Sequence, residues 1–433
     1  MGTSETVCVE PFPCQKVYHR LGVGAAGLTS GLVFSAPNPP PIFRSLGQAT
    51  AFRRSALGTY AKSSSVPSID PETGEVLHPV GHYEPASVRL ERFALQSAAR
   101  RILPHSRTAK CLRFRRKDKT HVEVYRSVDH KTASFGGLQT CSSVWACPVC
   151  AAKISERRRA ELLSAIEAHK ATGGEVLLIT LTNPHHLGDS LPALLAGQQK
   201  AISRFNQTRA ALALWDWLGC VGTVRAWEVT HGQNGWHPHF HLLAFVRSGV
   251  DLLEAKGRVY DVWATGCRLA GLPVPSVGHG VDVRDGSEAA AYASKWGLDQ
   301  EMTKGHMKKA KADKGRSPFD LLRSYLGDDD RQAAALFKEY ALAFHGKRQL
   351  VWSKGLKEIF EVGKESDEDL AAKQDDLADL LGKIEFEDWR RVLKFDLRGE
   401  VLELARHGWE PVKRLLDGLR QTSITKSQSL SNL

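Results

Sequence analysis

Residues 236–246 read WHPHFHLLAFV, and the reading of this stretch decides the fold. His237, His239 and His241 recur with a period of two and run directly into Leu242-Leu243-Ala244-Phe245-Val246. Alternate side chains of a β-strand share a face, so an extended segment points these imidazoles the same way. Just upstream, residues 221–231 (VGTVRAWEVTH) are rich in β-formers and are followed by the turn sequence Gly232-Gln233-Asn234-Gly235. With those residues as the loop, His231 pairs with Trp236 and, counting outward, Glu228 falls opposite His239. A slip of two positions leaves Glu228 on the same side. Imidazoles and a carboxylate converging from adjacent strands suit a catalytic divalent ion with open positions, whereas closed structural sites favour cysteine-rich tetrahedral shells. Histidines on a half-buried strand also occur as plain hydrogen-bonded residues, but a period-two set facing a glutamate favours the metal. Either Glu228 or His237 can complete the set begun by His239 and His241.

Around the hairpin the pattern predicts a strand over 175–183, a helix over 191–210, strands over 221–231 and 236–246, a helix over 250–271, a strand over 280–285 and a helix opening at Ser287. This β-α-β-β-α-β order predicts an α+β fold with a central antiparallel sheet of the ferredoxin-like, split type. Such a sheet is expected to carry its helices on one face and leave the other for a substrate groove. The apolar run EVLLITLTNP (175–184) reads as a buried strand with no chemistry of its own.

Residues 287–297 read SEAAAYASKWG. Ser287 is a cap, the alanines favour helix, and Glu288 and Tyr292, four apart, share a face with Lys295 close to it. By itself this is what an ordinary amphipathic helix looks like.

A second cluster, Cys141-x5-Cys147-Pro148-Val149-Cys150, holds a CxxC knuckle with thiolates at zinc spacing, and Cys111 lies upstream as a further ligand, with His130 or His121 as substitutes. Flanking it, Arg100, Arg101, Arg107, Lys110, Arg113, Arg115, Arg116, Lys117 and Lys119 face the single acid Asp118, which makes Arg113, Arg115 and Arg116 candidates for DNA phosphates. A second basic stretch contains Lys304, Lys308, Lys309, Lys311, Lys314 and Arg316. The chain's formal charge of +11 agrees with an anionic partner. No apolar run is long enough to span a bilayer.

The organisation expected is a disordered, Ser/Pro/Gly-rich leader (1–85), a basic cysteine-rich zinc segment (86–155), a core (156–357), a C-terminal region of two or three amphipathic helices (358–420) and a disordered tail (421–433). Lys16 and Arg20 precede an apolar stretch, 21–36, with the look of a signal-peptide core, but the acidic lead-in ahead of it carries no basic residue. A cytoplasmic protein without a membrane partner is therefore expected.

The His239-Phe240-His241 pair resembles the signature of the HUH endonucleases: rolling-circle replication initiators, relaxases and related transposases. From Cys111 to about Leu356 the chain resembles the bacterial plasmid initiators, through EVLLITLTNP, FGGLQTCSSVWACPVCAAKISERR, EAAAY followed by SKW, and RQLVWSKGL (348–356). The resemblance implies an HUH endonuclease core with Mg²⁺ or Mn²⁺ at the histidines and a structural Zn²⁺ at the cysteines. It implies that Tyr292 is the nucleophile that forms a 5′-phosphotyrosine, that Glu288 activates water at termination, and that Lys295 steadies phosphate charge. The partners it implies are a plasmid origin, nicked as single strand or hairpin, and a host helicase and polymerase. A relaxase or transposase is the alternative within the fold, although relaxases carry the tyrosine ahead of the histidines. A non-catalytic zinc-bearing DNA-binding protein is the alternative outside it.

Overall fold

The structure, a computed structural model, describes residues 68–69, 76–77, 86–127, 132–294, 315–372 and 378–430. The leader expected over 1–85, apart from a short ladder of Ser68–Ile69 on Val76–Leu77, therefore lies outside the described residues, as do His130, Lys295, Lys304, Lys308, Lys309, Lys311 and Lys314. No helix of the described residues is long and apolar enough to cross a membrane.

The protein is α+β. Helix α1 (Ala86–Ile102) leads to strands β1 (Val122–Ser127) and β2 (Thr132–Gly136) and then to the long α2 (Pro148–Ala171). The core follows as β3 (Glu175–Leu181), α3 (Leu191–Gln207), α4 (Arg209–Trp217), β4 (Gly222–Gly232), β5 (Gly235–Val246), α5 (Leu252–Ala270), β6 (Val281–Arg284) and α6 (Gly286–Ser294). Beyond it lie α7 (Pro318–Asp328), α8 (Arg331–Ala343) and β7 (Leu350–Trp352). The chain closes with β8 (Ala378–Ile384), α9 (Phe386–Lys394), α10 (Arg398–Ala405) and α11 (Trp409–Leu430).

The central sheet is antiparallel throughout, in the order β6-β3-β5-β4-β7. Its hairpin has the register that the sequence predicts: His231 opposite Trp236 and Glu228 opposite His239. Pairing continues one step further, to Gly232 opposite Gly235, so the turn is the two residues Gln233-Asn234, and Gly235 takes a φ of 82° that a side chain would strain. The helix expected over 191–210 is two helices. Thr208, extended at ψ 156°, ends α3, and its hydroxyl accepts from the Ala211 amide to start α4. The cap of α6 is Asp285 rather than Ser287, because its carboxylate accepts from the Ser287 amide and hydroxyl at 2.8 and 2.6 Å.

The pleat sorts the core. Leu177, Ile179, Leu181, Trp227, Val229, Phe240, Leu242 and Ala244 pack with the buried residues of α3 and α5 on one face. On the other, Val176, Leu178, Val224, Ala226, Leu243 and Phe245 are covered by Leu162, Ala165 and Ile166 of α2 and by Ala289 and Ala293 of α6. The second face is therefore half covered and not wholly free for a groove. Along each strand it changes from apolar to polar, and the uncovered end carries Thr180, Glu228, His239 and His241.

The C-terminal region departs most from expectation. Residues 378–384 form a strand on the edge of β1, with β2 on β1's other side. Three helices follow, within the two or three expected, but Trp389, Val392, Val401 and Val412 share a core with Phe93, Val122, Val124 and Phe135. The region completes the 86–136 segment instead of standing apart from it. The last helix continues to Leu430, past the expected start of the tail at 421.

Candidate active site and metal centres

Strand alternation places the imidazoles and hydrogen bonds orient them. Thr180 Oγ1, on neighbouring β3, lies 2.9 Å from His241 Nδ1, and the His237 carbonyl lies 3.3 Å from His239 Nδ1. Both Nε2 atoms are thereby turned inward, 3.2 Å apart, at 3.6 Å (His239) and 3.4 Å (His241) from Glu228 Oε2. Nitrogens held at Nδ1 and convergent at Nε2 are the arrangement of metal-binding imidazoles with a second layer of partners. His239, His241 and Glu228 keep side-chain exposures of 14%, 15% and 39%, so the group is open on one side. Burial pushes the Glu228 carboxyl up, but hydrogen bonding to His239 and His241 and their charge outweigh it and hold it well below the usual carboxylate range.

His237 does not join this convergence. Its ring stacks on His185 at 4.7 Å between centroids, and burial, then the neighbouring His239 and His185, lower it to about 4. Of the alternatives open from spacing, the geometry assembles Glu228.

Tyr292 arrives from α6. Its hydroxyl donates to Glu228 Oε1 at 2.6 Å, and its ring lies 4.8 Å from that of His241. One carboxylate thus joins the phenol to the imidazoles, with Oε1 on the first and Oε2 toward the second. Burial, followed by the Glu228 charge and this hydrogen bond, pushes the phenol well above its ordinary value near 10. A cation shared by the carboxylate would relieve the charge part of that shift. Glu288 points elsewhere: its carboxylate is half exposed and 3.7 Å from Arg284 Nη1, and its described contacts do not include the imidazoles.

The cysteines form a second, closed group. The sulfurs of Cys111, Cys141, Cys147 and Cys150 lie within 4.8 Å of one another, with Cys111–Cys150 at 3.4 Å, Cys141–Cys150 at 3.7 Å and Cys111–Cys147 at 3.8 Å. These separations exclude disulfides, whose sulfurs are about 2.05 Å apart. A tetrahedron with arms of about 2.3 Å, the Zn–S distance, has edges of about 3.8 Å, so the residues fit zinc. Their exposures are 1, 5, 0 and 4%. Cys147 caps α2, and the helix start brings Cys150 back to it. His121 sits beside Glu123 instead, leaving Cys111 as the fourth sulfur.

The basic run divides. Arg113 is no phosphate contact, because it is buried at 9% exposure and bound to Ser97 and Asp396. Arg115 is clamped to the Lys119 and Thr120 carbonyls and lies over Phe386. Arg116 is exposed and pairs with Asp118 through two hydrogen bonds of 3.1 and 2.6 Å, a solvent-facing ion pair of small energetic weight. Sequence reading missed Thr180, His185, Gln96 and Arg398. Thr180 alone left a signal there, as the polar residue inside the apolar run Val176–Leu181.

The family model described as "Replication protein" matches residues 136–395, more than half of the chain. The chain belongs to the replication protein family, as its motifs implied. It is 28% identical over 293 residues to "Protein rep" of Streptomyces lividans, covering 52% of this chain and 64% of that protein. It is 30% identical over 135 residues to "Neomycin resistance protein" of Streptomyces cyanogenus, covering 25% of this chain and 31% of that one. The chain thus spans less than two thirds of each of these relatives. No solved structure is matched.

Proposed function

We propose that this protein is a metal-dependent nickase and strand transferase that opens one strand of a plasmid origin for rolling-circle replication. The observation that carries the reading is the 2.6 Å hydrogen bond joining Tyr292 to Glu228, whose other oxygen faces His239 and His241. Family membership supports the replication role, and the strand order β6-β3-β5-β4 with its crossover helices supports an HUH core of the split, ferredoxin-like type.

In this reading His239, His241 and Glu228 hold Mg²⁺ or Mn²⁺. The ion, when bound, polarises the scissile phosphate and offsets charge that builds on it. Tyr292 Oη attacks phosphorus, the bond to the 3′-oxygen breaks, and a 5′-phosphotyrosine and a 3′-hydroxyl primer result. Glu228 Oε1 accepts the phenol hydrogen bond and so holds Oη at the edge of the imidazole group, and the phenol proton is released to water as the new bond to phosphorus forms. The 3′-oxygen leaves as an alkoxide and takes a proton from solvent. Glu288, half exposed on α6 beside Arg284, would have to turn toward Tyr292 to activate water at termination, and Lys295 would neutralise phosphate charge. The cysteine centre is structural, and Arg115, Arg116, Lys308 and Lys309 contact DNA. A primer on an unwound strand requires a host polymerase and helicase.

The test is incubation with a single-stranded origin oligonucleotide and Mn²⁺, followed by peptide mapping of the adduct. The expected adduct is on Tyr292, and Tyr292→Phe should lower nicking by on the order of 10⁴-fold or more. An adduct that persists in Tyr292→Phe removes the assignment. Closed plasmid left intact by the wild-type protein leaves only DNA binding.

A further inference from the structure

The cysteine centre has a partner from the far end of the chain. Gln96, on α1, donates from Nε2 to Cys147 Sγ at 3.2 Å, while its Oε1 accepts from Arg398 Nη1 at 2.5 Å. Arg398 opens α10 and is fully buried at 0% exposure. Its Nη2 donates to Ser97 Oγ at 3.0 Å and Asp396 Oδ1 at 3.2 Å, and its plane lies over Phe93, yet its buried Nε has no hydrogen-bond partner. Arg113 donates to the same two oxygens at 2.8 and 2.9 Å.

Two buried guanidiniums therefore share one carboxylate. That carboxylate is 37% exposed and partly hydrated, so it is a weak counter-charge for cations sealed from water. Four thiolates around a divalent ion carry two negative charges, on the other side of Gln96. Buried ions persist where paired and hydrogen-bonded, and here each half supplies what the other lacks.

We propose that Arg398, relayed through Gln96 and supported by Arg113, is the counter-charge of the cysteine metal centre, so that metal retention and docking of the C-terminal helices are one linked event. The inference rests on reading the cysteines as a metal centre. Arg398 is a positioning residue and touches no reacting atom. Arg398 reaches Gln96 and Ser97 of α1 from the start of α10, beside the apolar core that the C-terminal helices share with Phe93.

The experiment measures zinc released from the purified full-length protein to a chromophoric chelator, alongside protease resistance of the region after residue 378. Wild type should hold one equivalent of zinc. Arg398→Met and Gln96→Leu should release it about 10- to 100-fold faster, the range typical of lost outer-layer partners, and Arg398→Met should also expose the C-terminal helices to cleavage. Arg398→Lys, which keeps the charge without the fork, should recover most of the retention. Far-UV circular dichroism and a cooperative thermal transition report that each variant is folded. Wild-type release from Gln96→Leu, or from folded Arg398→Met, overturns the linkage. Wild-type protein without zinc overturns the metal reading itself and this inference with it.

Discussion

The two candidate metal centres of this protein are built on opposite plans. The cysteine group is sealed, drawn from a loop, a helix start and a distant turn, and surrounded by the main core. The histidine group lies on two adjacent strands of one hairpin, with up to 39% exposure and a phenol at its edge. A closed sulfur shell satisfies its ion completely and can only hold structure. An open nitrogen–oxygen shell leaves positions for a substrate oxygen. Burial and donor softness, more than the number of ligands, separate a structural centre from a reactive one.

Removing one ligand from each centre gives the largest contrast. Cys150→Ala should abolish zinc content and lower the melting temperature by about 10 °C or more, since structural zinc binding is folding energy. His239→Ala should abolish Mn²⁺ binding measured by calorimetry while moving the melting temperature by no more than about 2 °C. Equal thermal losses in the two variants would erase the distinction.

A smaller effect sharpens it at the arginines. Arg113→Ala, which opens the buried network behind the cysteines, should cost roughly 3 kcal/mol in denaturant unfolding with little effect on DNA. Arg116→Ala should leave unfolding unchanged and reduce the salt slope of DNA binding by about one. The reverse pattern would place the DNA surface at Arg113, beside the cysteines.

The smallest effect is a pH dependence at the histidine end. His237 titrates near 4 in the folded protein, below the ordinary 6.5, so the unfolded chain binds the proton first. Its contribution is full above 6.5 and is lost as pH falls toward 4. Between pH 6.5 and 4.5 metal-free wild type should lose about 1 to 2 kcal/mol more stability than His237→Asn, after allowance for solvent screening. Parallel denaturation curves for the two proteins would show that His237 is as hydrated as it would be unfolded.

Whatever depends on short spacing was legible in the chain's residues alone. A period of two forced His239 and His241 onto one face, and the turn residues fixed the register that set Glu228 opposite them. The CxxC knuckle and the place of Tyr292 on the following helix were equally local. Tertiary structure decided everything that depends on a neighbour remote in the chain. It brought Glu228 within reach of both Nε2 atoms and set the His237 ring against His185. It buried Arg113 within a run that reads as uniformly exposed, turned Glu288 toward Arg284, and made 378–384 a strand because β1 offers it an edge. Periodicity records which way a side chain leaves its own backbone. It carries no record of what waits there, and at both centres of this protein the orienting partners, Thr180 and Arg398, come from elsewhere in the chain.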